Sequence, residues 1–525
     1  MKLLNLHTWS TRSILGLILL AASFQACQDH RLPPVQQELP DQIFYALTDN
    51  NVIYELNVRN TSAPVRTINV SGLVGNDVLM GIDFRPATGQ LIAVGKNSTI
   101  YSINLSNASQ PGLAKQIGTT PFGSAITASS VGFDFNPTVD RIRFTTNTAQ
   151  NLRLHPETGA LAGEDTDLNL NTVRHEGIGA VAYTNSFSGA TTTAMYDIDP
   201  VVDKLYLQSN PNGGVLQEVG SLGLDIAEVG GFDIAPWKTT DGKEYAIASV
   251  LFEGKWELDF VDLTTGRLQK LGELPSGKII GIAIPTPVAY ALSADNKLLI
   301  FNPLSTNITV IEKPIGGLPG GVSIEGIDFR PADAMLYALG SNSKLYTVNL
   351  LNGAVTEKSS LNIPLSGGAN PSYGVDFNPF ADRLRVTSNT GQNLRIDVQS
   401  GVVAKDTTLA LGGTIRGVDG SAYTNSNFGL TGGAQTVLYN IDSETGKLFK
   451  QDPPNLGVLV EIGSLGITID KANGFDITGL TNRGHALLTS GGSTGLYTIN
   501  LTTGAATKTS NFPAAVRGFA LGFNL

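Results

Sequence analysis

The chain contains one long segment twice, and this duplication limits its fold more than any other feature. Gly81-Ile-Asp-Phe-Arg-Pro-Ala returns as Gly326-Ile-Asp-Phe-Arg-Pro-Ala, and a stretch that begins Asp134-Phe-Asn-Pro returns at Asp376. The two offsets are 326 − 81 = 245 and 376 − 134 = 242, so few insertions separate the copies. A repeat of this length predicts that both copies share one architecture.

Each copy is itself a series of five shorter units. The units share a signature of a small residue, an apolar or small residue, Asp or Ala, and an apolar residue. The third signature positions are Asp83, Asp134, Ala182, Asp233 and Ala283 in the first copy and Asp328, Asp376, Ala422, Asp476 and Ala520 in the second. Successive signatures lie 44 to 54 residues apart, which is near the blade length of β-propellers.

The segments between signatures indicate short strands joined by tight turns. A turn such as Arg85-Pro-Ala-Thr-Gly leads into an alternating strand such as Leu91-Ile-Ala-Val, and a later turn such as Leu263-Thr-Thr-Gly precedes a last strand. The 59 Gly and 25 Pro residues supply chain reversals, and charged residues make up only 15% of the chain. The sequence therefore predicts an all-β fold of four-stranded antiparallel blades.

The two ends of the chain predict how these blades close. The strand that begins at Ile43 lacks a signature strand before it, and the last signature strand has nothing after it. Residues 279–284 would complete the blade begun at Ile43, and residues 517–523 would complete the blade begun at Val288. This arrangement gives two tandem five-bladed β-propellers. One ten-bladed ring is the alternative, although propellers typically have about four to eight blades.

The N-terminus has the features of an export signal. Lys2 and Arg12 are basic, an apolar stretch follows, and Cys27 stands where cleavage would occur. The apolar stretch, at about 12 residues, is too short to span a membrane comfortably. Cys27 is the only cysteine of the chain, and its position resembles the lipobox of bacterial lipoproteins, although Phe24 and Gln25 depart from the usual pattern.

These features divide the chain into four segments. Residues 1–27 are expected to be a lipoprotein signal peptide that ends at a lipidated cysteine, and residues 28–41 an extended tether with several prolines. Residues 42–285, called here the first repeat, form one propeller. Residues 286–525, the second repeat, form the other.

Lipidation would place the protein in a bacterial cell envelope. We expect the outer membrane, with the folded part on the periplasmic or the surface face and the lipid anchor joining it to the membrane. The net charge of −10 makes nucleic acid a poor partner. The expected partner is instead a protein or a glycan of unknown identity.

The paired segments also resemble a known bacterial family. The stretch Asp134-Phe-Asn-Pro-Thr-Val-Asp-Arg-Ile-Arg and its copy from Asp376 are similar to the domain of unknown function 4394. The resemblance covers nearly all of residues 42–285 and 286–525. It implies that each copy can close on its own, because similar proteins occur with one such domain as well as two. The family has no assigned activity that could be transferred.

The most conspicuous polar cluster lies in that repeated stretch. Its arginines and amides are Arg141, Arg143, Asn147, Gln150, Asn151 and Arg153 in the first copy and Arg383, Arg385, Asn389, Gln392, Asn393 and Arg395 in the second. Alternate residues of a strand point to one face, so two guanidiniums on that face could bind a carboxylate, a phosphate or a sugar. The alternative is a structural network between blades, in which Asp140 pairs with an arginine and the amides satisfy turn backbones.

The signature aspartates are a second candidate site. Three per copy fall on the strands expected nearest the centre of each ring, where converging carboxylates could hold Ca²⁺ through oxygen ligands. The alternative is that each aspartate hydrogen-bonds the backbone of the neighbouring blade. No cofactor is expected, and Ca²⁺ is the one exception that this cluster would allow.

Catalytic motifs find little support in the sequence. The four histidines after the signal peptide have no counterparts between the copies, and neither a Gly-x-Ser-x-Gly elbow nor a metal-spaced histidine pair is present. We therefore predict no catalytic residue and expect a binding or scaffold module. One alternative is a propeller hydrolase or lyase acting on a sugar or lactone. Another is a glycan-binding protein with exposed aromatic side chains, for which Tyr183 and Tyr423 are candidates.

Overall fold

The structure is a computed structural model, and it describes residues 29–33, 39–105, 111–238, 242–333, 335–350, 352–366, 368–426, 436–479 and 481–522. Cys27 and the predicted signal peptide lie outside the described residues, as do residues 28 and 34–38 of the predicted tether. In the described part of the chain, no helix is long and apolar enough to cross a membrane.

The described residues form an all-β structure, as the sequence predicts. They contain no α-helix, and single 3-10 turns lie at Val74–Asn76, Pro211–Gly213 and Pro454–Leu456. The strands of the first repeat are β1 (Ile43–Thr48), β2 (Val52–Asn57), β3 (Arg66–Asn69), β4 (Leu79–Phe84), β5 (Leu91–Gly95), β6 (Thr99–Asn104), β7 (Leu113–Ile117), β8 (Val131–Asn136), β9 (Arg141–Thr146), β10 (Asn151–Leu154), β11 (Leu161–Glu164), β12 (Asn169–Leu170), β13 (Val173–Arg174), β14 (Ala180–Tyr183), β15 (Met195–Asp199), β16 (Lys204–Asn210), β17 (Val215–Ser221), β18 (Glu228–Lys238), β19 (Glu244–Phe252), β20 (Lys255–Val261), β21 (Leu268–Glu273) and β22 (Ile279–Ala283).

The second repeat follows the same plan. Its strands are β23 (Ala289–Ser293), β24 (Lys297–Phe301), β25 (Ile311–Pro314), β26 (Ile324–Arg330), β27 (Met335–Gly340), β28 (Lys344–Val348), β29 (Val355–Ser360), β30 (Tyr373–Asn378), β31 (Arg383–Ser388), β32 (Asn393–Ile396), β33 (Val403–Lys405), β34 (Ala410–Leu411), β35 (Thr414–Ile415), β36 (Gly420–Tyr423), β37 (Leu438–Asp442), β38 (Lys447–Gln451), β39 (Leu459–Ser464), β40 (Lys471–Ile477), β41 (Gly484–Ser490), β42 (Ser493–Ile499), β43 (Ala506–Asn511) and β44 (Val516–Leu521).

These strands build antiparallel sheets of four. The strand orders in the first repeat are β22-β1-β2-β3 (sheet 1), β4-β5-β6-β7 (sheet 2), β8-β9-β10-β11 (sheet 3), β14-β15-β16-β17 (sheet 4) and β18-β19-β20-β21 (sheet 5). Those in the second repeat are β44-β23-β24-β25 (sheet 6), β26-β27-β28-β29 (sheet 7), β30-β31-β32-β33 (sheet 8), β36-β37-β38-β39 (sheet 9) and β40-β41-β42-β43 (sheet 10). The sequence did not predict the short hairpin β12-β13, which extends sheet 4 to six strands, or its counterpart β34-β35 beside sheet 9.

Strands from the two ends of each repeat pair with each other. β1 pairs with β22, with Leu47 opposite Gly281, and β23 pairs with β44, with Leu292 opposite Gly518. Each repeat thus completes one sheet from its own beginning and end. This pairing confirms the closing strands that the sequence predicts.

The strand that carries the signature, called here the signature strand, is the first strand of its sheet. In the first repeat β22 contacts β4, β4 contacts β8, β8 contacts β14, β14 contacts β18, and β18 contacts β22. In the second repeat the same cycle runs through β44, β26, β30, β36 and β40. The signature glycine allows this close approach, because a Cβ at Gly231 would lie 2.4 Å from the backbone nitrogen of Ile282.

The hydrophobic core is divided among the gaps between neighbouring sheets. Phe84 and Tyr101 of sheet 2 pack with Tyr45 of sheet 1, whereas Ile92 on the other face of sheet 2 packs with Phe133 of sheet 3. Side chains of a strand alternate between its two faces, so both faces of sheet 2 are buried. Sheet 2 is therefore held between two neighbours by apolar contacts.

The two repeats also contact each other directly. The Tyr290 hydroxyl of the second repeat donates a hydrogen bond to the Thr88 carbonyl of the first. The Ser188 hydroxyl of the first repeat donates to the Ile300 carbonyl of the second at 3.5 Å. Sheet 6 and its loops therefore lie against the first repeat.

Residues 29–33, called here the N-terminal arm, lie along the first repeat. The His30 amide donates to the Gly223 carbonyl at 2.7 Å, and the Leu32 amide donates to the Leu268 carbonyl at 2.8 Å. These residues belong to the segment that the sequence predicts as an extended tether. In the structure they are bound at the edge of sheet 5, because the Leu268 carbonyl on that sheet's outer strand accepts one amide and the Gly223 carbonyl, just after β17 of sheet 4, accepts the other.

Candidate functional site

Arg143 is the centre of the predicted arginine cluster in the first repeat. It lies on β9, and its side chain is 2% exposed. Its Nη1 donates to Asn151 Oδ1 at 2.8 Å and to Asp165 Oδ2 at 2.7 Å, and its Nε donates to Tyr183 Oη at 3.3 Å. Its Nη2 donates to Asn212 Oδ1 at 2.9 Å. Tyr183 and Asn212 belong to sheet 4 and its connections, so Arg143 ties sheets 3 and 4 together.

Arg385 forms the same network in the second repeat. Its Nη1 donates to Asn393 Oδ1 and to Asp406 Oδ2, each at 2.7 Å, and its Nη2 donates to Asn455 Oδ1 at 2.9 Å. Its Nε donates to Tyr423 Oη at 3.2 Å. The buried arginine of each repeat therefore has the structural role that the sequence left as an alternative. Both tyrosines are buried within these networks, which is not the exposed position that glycan binding requires.

In each repeat another arginine shares the carboxylate of the network. It lies on β10 in the first repeat and on β32 in the second. Arg153 donates to both oxygens of Asp165 at 2.8 Å, and Arg395 donates to both oxygens of Asp406 at 2.7 and 2.8 Å. Hydrogen bonding to the carboxylate raises the pKa of both arginines. Each repeat thus balances two guanidiniums with one buried carboxylate.

The two repeats differ at the remaining arginine. Arg383 has a carboxylate partner, Asp397 Oδ2, at 3.2 Å. The position equivalent to Asp397 in the first repeat is His155, which lies 242 residues earlier, the offset of the copied stretch (397 − 155 = 242). Among the described residues Arg141 forms hydrogen bonds only to backbone carbonyls, among them that of Asp140 at 2.8 Å. At this position of the cluster, the guanidinium of the first repeat therefore has no carboxylate partner among the described residues, whereas that of the second repeat has one.

A cavity of about 330 Å³ opens beside Arg141. The lining residues are Asn136, Val139, Arg141, Arg143, Arg153, Tyr183 and Asn212. Three of the seven are the arginines that the sequence singled out in this repeat. The structure thus brings these three guanidiniums to one concave surface. The side chains that line this surface carry a net positive charge.

The predicted amides divide into two groups. Asn151 and its counterpart in the second repeat are partners of the buried arginines, as described above. Asn147, Gln150, Asn389 and Gln392 lie instead in the turns that follow β9 and β31, away from the cavity. Asn147 Nδ2 donates to Ser129 Oγ at 2.8 Å, and the amides of the other repeat donate to backbone carbonyls at 2.8 and 2.9 Å. The latter interactions are those expected of residues that hold turns.

The signature aspartates converge into one triad in each repeat. The triads are Asp83, Asp134 and Asp233 in the first repeat and Asp328, Asp376 and Asp476 in the second. In each triad, one carboxylate oxygen per residue lies within 4.8 Å of the other two. All six side chains are buried, at 6% exposure or less.

These carboxylates also hydrogen-bond the neighbouring signature strand. Asp83 accepts from the Phe84 amide on its own strand at 2.7 Å and from the Phe135 amide on β8 at 2.8 Å. Asp476 accepts from the Leu521 amide on β44 at 2.7 Å. Each such contact links two sheets, so the aspartates have the backbone-bonding role that the sequence offered as the alternative to metal binding.

The aspartates of the triads favour the protonated form. Burial raises the pKa of every triad aspartate, and it raises the pKa of Asp233 and Asp476 to about 7. The negative charge of neighbouring aspartates adds to this effect, for example at Asp134 and Asp376. Three carboxylates this close cannot all ionise in a buried site without strong repulsion.

The space among the signature strands of the second repeat is narrow, and no triad aspartate lines it. The space enclosed by the signature strands of the second repeat measures about 10 Å³ and is lined largely by their glycines and apolar residues. Ca²⁺ takes six to eight oxygen ligands, whereas each triad offers three carboxylates that already accept backbone hydrogen bonds. The donor atoms are suited to Ca²⁺, but this coordination number needs ligands beyond the triad.

Comparison with known proteins places the chain in a family. The model of a domain of unknown function (DUF4394) matches residues 52–283 and again residues 297–520. The chain belongs to this family. No curated protein matches it. Among solved structures, the computationally designed Ika8 protein aligns with 82% of this chain and 98% of its own, at 9% identity and a TM-score of 0.21, a likeness too low to bear on the fold.

Several members of the arginine networks escaped the sequence analysis of this DUF4394 pair. Asp165 and Asp406 were missed as partners, although each opens an Asp-Thr pair at matching places in the two copies. Asn212 and Asn455 were also missed, although each follows a proline at matching places. Repetition between the copies was the available signal. The four residues lie in loops outside the long repeated stretch that begins at Asp134 and Asp376, where the similarity between the copies is weaker.

Proposed function

We propose that this DUF4394 protein is an exported, lipid-anchored binding module of the bacterial cell envelope. The observation that carries the binding role is the cavity lined by three arginines, of which Arg143 and Arg153 share the carboxylate of Asp165, whereas Arg141 has no carboxylate partner among the described residues. The excess positive charge favours a small anion. A carboxylate or a phosphate suits the planar guanidinium best, because it accepts two parallel hydrogen bonds.

In this proposal the module is built from two five-bladed propellers. Support comes from the signature strands, whose contacts return to their starting strand after five sheets in each repeat. Further support is that each repeat completes its closing sheet from its own two ends. A single ten-bladed ring would require the contacts to pass from the signature strands of one repeat to those of the other.

Export and lipid anchoring rest on the sequence around Cys27. The proposed location is the outer membrane, on its periplasmic or surface face. Cys27→Ser is expected to move the protein from the membrane fraction to the soluble fraction of the bacterial cell, because the thiol is the proposed lipid acceptor. Ser23→Ala is the control and should leave the distribution unchanged. Equal membrane association of wild type and Cys27→Ser would reject the anchor.

Hydrolysis of a sugar or lactone is less well supported. Such a reaction requires carboxylates that a substrate can reach, and among the described residues the carboxylates that converge in groups of three are the triads. They are buried at 6% exposure or less, and the space among the second repeat's signature strands is about 10 Å³. The arginine-lined cavity contains no free carboxylate among its lining residues. Binding without chemistry therefore fits the geometry better.

The binding role is tested at the one arginine that differs between the repeats. Arg141→Ala is expected to weaken binding of inorganic phosphate or glucuronate, measured by isothermal titration calorimetry. The loss should be about 10- to 100-fold, because one charge-assisted hydrogen bond contributes about 1.5–3 kcal/mol.

Arg383→Ala is the matched control, because Arg383 is the counterpart that already has Asp397 as a partner. It should bind both anions as the wild type does. The proposal fails if neither anion binds the wild type, or if the two alanine variants lose the same affinity.

A further inference from the structure

A second and larger cavity lies between the two repeats. Its volume is about 550 Å³, within the range of small-molecule sites, which often lie between domains. The first repeat contributes Tyr45 and Trp237, the second contributes Leu304 and His485, and the end of the first repeat contributes Pro285. Residues from both repeats are therefore needed to form it, so neither repeat has this cavity alone.

The walls of this inter-repeat cavity are mainly apolar. Trp237 is half-buried, and Pro285, Pro287 and Pro303 present rigid apolar surfaces beside it. Ring-shaped surfaces of this kind favour a flat apolar ligand body, because an aromatic ring packs well against indole and proline. The cavity thus has the apolar surface that a binding site needs.

His485 is a buried polar group on this wall that has no structural use in the described part of the chain. It is 5% exposed, and its Nδ1 is buried with no hydrogen-bond partner among the described residues. His485 lies opposite Asp476 on β41, and the residue opposite Asp233 in the first repeat is Ile247. An apolar residue therefore fits this strand position. The histidine leaves a polar atom unpaired there, which disfavours folding and gives the imidazole no structural advantage over isoleucine at this position.

The imidazole of His485 is neutral in this setting. Burial, followed by the nearby charge of Arg483, lowers its pKa to about 4. A neutral imidazole has one donor nitrogen and one acceptor nitrogen. A hydroxyl group can serve either nitrogen, because it both donates and accepts.

Arg483 supplies a positive charge at the same cavity. Its side chain is exposed, and no described carboxylate forms an ion pair with it. The one carboxylate that lines the cavity is Asp41, which pairs instead with Arg59 at 3.3 Å. An anionic group of a ligand could therefore approach Arg483 without a competing partner.

From these observations we propose that the inter-repeat cavity binds a small hydroxylated aromatic carboxylate. The aromatic ring packs against Trp237 and the prolines, the hydroxyl pairs with His485, and the carboxylate pairs with Arg483. This site is separate from the arginine-lined cavity of the first repeat and shares no lining residue with it.

The proposal is tested with 4-hydroxybenzoate as the probe and Trp237 fluorescence as the signal. Saturable quenching is expected at millimolar or lower concentration. Benzoate, which lacks the hydroxyl, should bind about tenfold more weakly, since a buried hydrogen bond contributes about this much. 4-Hydroxybenzyl alcohol, which lacks the carboxylate, should also bind more weakly.

Two variants assign these losses to residues. His485→Ile places the first repeat's residue at the position, so it should fold with an equal or higher melting temperature. It should bind benzoate and 4-hydroxybenzoate equally. Arg483→Gln should weaken both carboxylates while leaving 4-hydroxybenzyl alcohol unchanged.

The control is Arg141→Ala, which should retain the wild-type affinity for 4-hydroxybenzoate. This control separates the inference from the proposed function, because the arginine-lined cavity also favours carboxylates and Arg141→Ala changes that cavity alone. The inference is overturned if the wild type shows no saturable quenching. It is also overturned if His485→Ile still distinguishes the two benzoates as the wild type does.

Discussion

Asp197 and Asn440 occupy the same strand position in the two repeats but have different surroundings. Asn440 Nδ2 donates to Gln451 Oε1 at 3.0 Å, and its Oδ1 accepts from Ser421 Oγ at 2.7 Å. In the first repeat Val181 replaces that serine, and both oxygens of Asp197 are buried without a hydrogen-bond partner among the described residues. The second repeat thus shows that an amide at this position forms two hydrogen bonds, which the carboxylate of Asp197 lacks.

The burial of Asp197 makes the stability of the first repeat depend on pH. Burial raises its pKa well above the ordinary value, and Arg143 offsets this only in part. When a carboxyl binds its proton more tightly in the folded state, it contributes to the stability of the fold at low pH. This contribution decreases as pH rises above the unfolded-state pKa of about 4. The contribution is complete below that value and is lost as pH rises through the raised, folded-state pKa.

Exchanging the two residues tests this explanation. Asp197→Asn should raise the free energy of unfolding at neutral and alkaline pH by about 1–3 kcal/mol, since a buried unpaired group costs about that much. Asn440→Asp should lower it and introduce the same dependence on pH in the second repeat. Denaturant unfolding over a pH series measures both. A stability of Asp197→Asn below that of the wild type at neutral pH would contradict the explanation.

The N-terminal arm is an element that only the first repeat accommodates. Arg31 Nη1 donates to Glu257 Oε2 at 2.7 Å and to Asp259 Oδ1 at 3.0 Å, and all three side chains are at least nine-tenths buried. At the equivalent strand positions the second repeat has Gly495 and Tyr497. Lys270 also pairs with Glu257, but one lysine does not balance two buried carboxylates, which are disfavoured without a further cation. The arm therefore fills an acidic site that has no counterpart in the second repeat.

This arm has a consequence for the proposed lipid anchor. Asp29 is two residues after Cys27, and the arm is bound at the edge of sheet 5. A lipid on Cys27 would therefore hold this edge of the first repeat close to the bilayer. The extended tether that the sequence predicts would instead have held the folded part away from it.

The elements that the sequence predicted well are those with local signals. Alternating residues and Gly or Pro turns identify strands such as Leu91–Gly95, and the missing and surplus strands at the chain ends identify the closing pairs. The partners of buried charges were not predicted, because they are distant in sequence. Arg143 and Asn212 are 69 residues apart, and Arg31 and Glu257 are 226 apart. To predict such pairs, one must know which sheets and which sheet edges contact each other.

At the scale of the whole molecule, the central question is whether each repeat is a complete unit. In the first repeat the closing strand β22 contributes more than its pairing with β1. Asp233 Oδ2 accepts the Ile284 amide just after this strand at 2.5 Å. β22 also contacts both β18 and β4. Removing it would open an edge on β1, leave Asp233 without that partner and expose apolar surface on both sides of the gap.

Two fragments of the first repeat test this dependence on the closing strand. Residues 29–285 are expected to fold alone and unfold cooperatively on heating, because their sheets are completed within the fragment. Residues 29–275, which lack β22, should lose most of that cooperativity, since sheet 1 and two sheet contacts are incomplete. Circular dichroism melting measures both fragments. If residues 29–285 fold only after residues 286–525 are added, the contacts between repeats are essential to closure and a single larger ring is favoured.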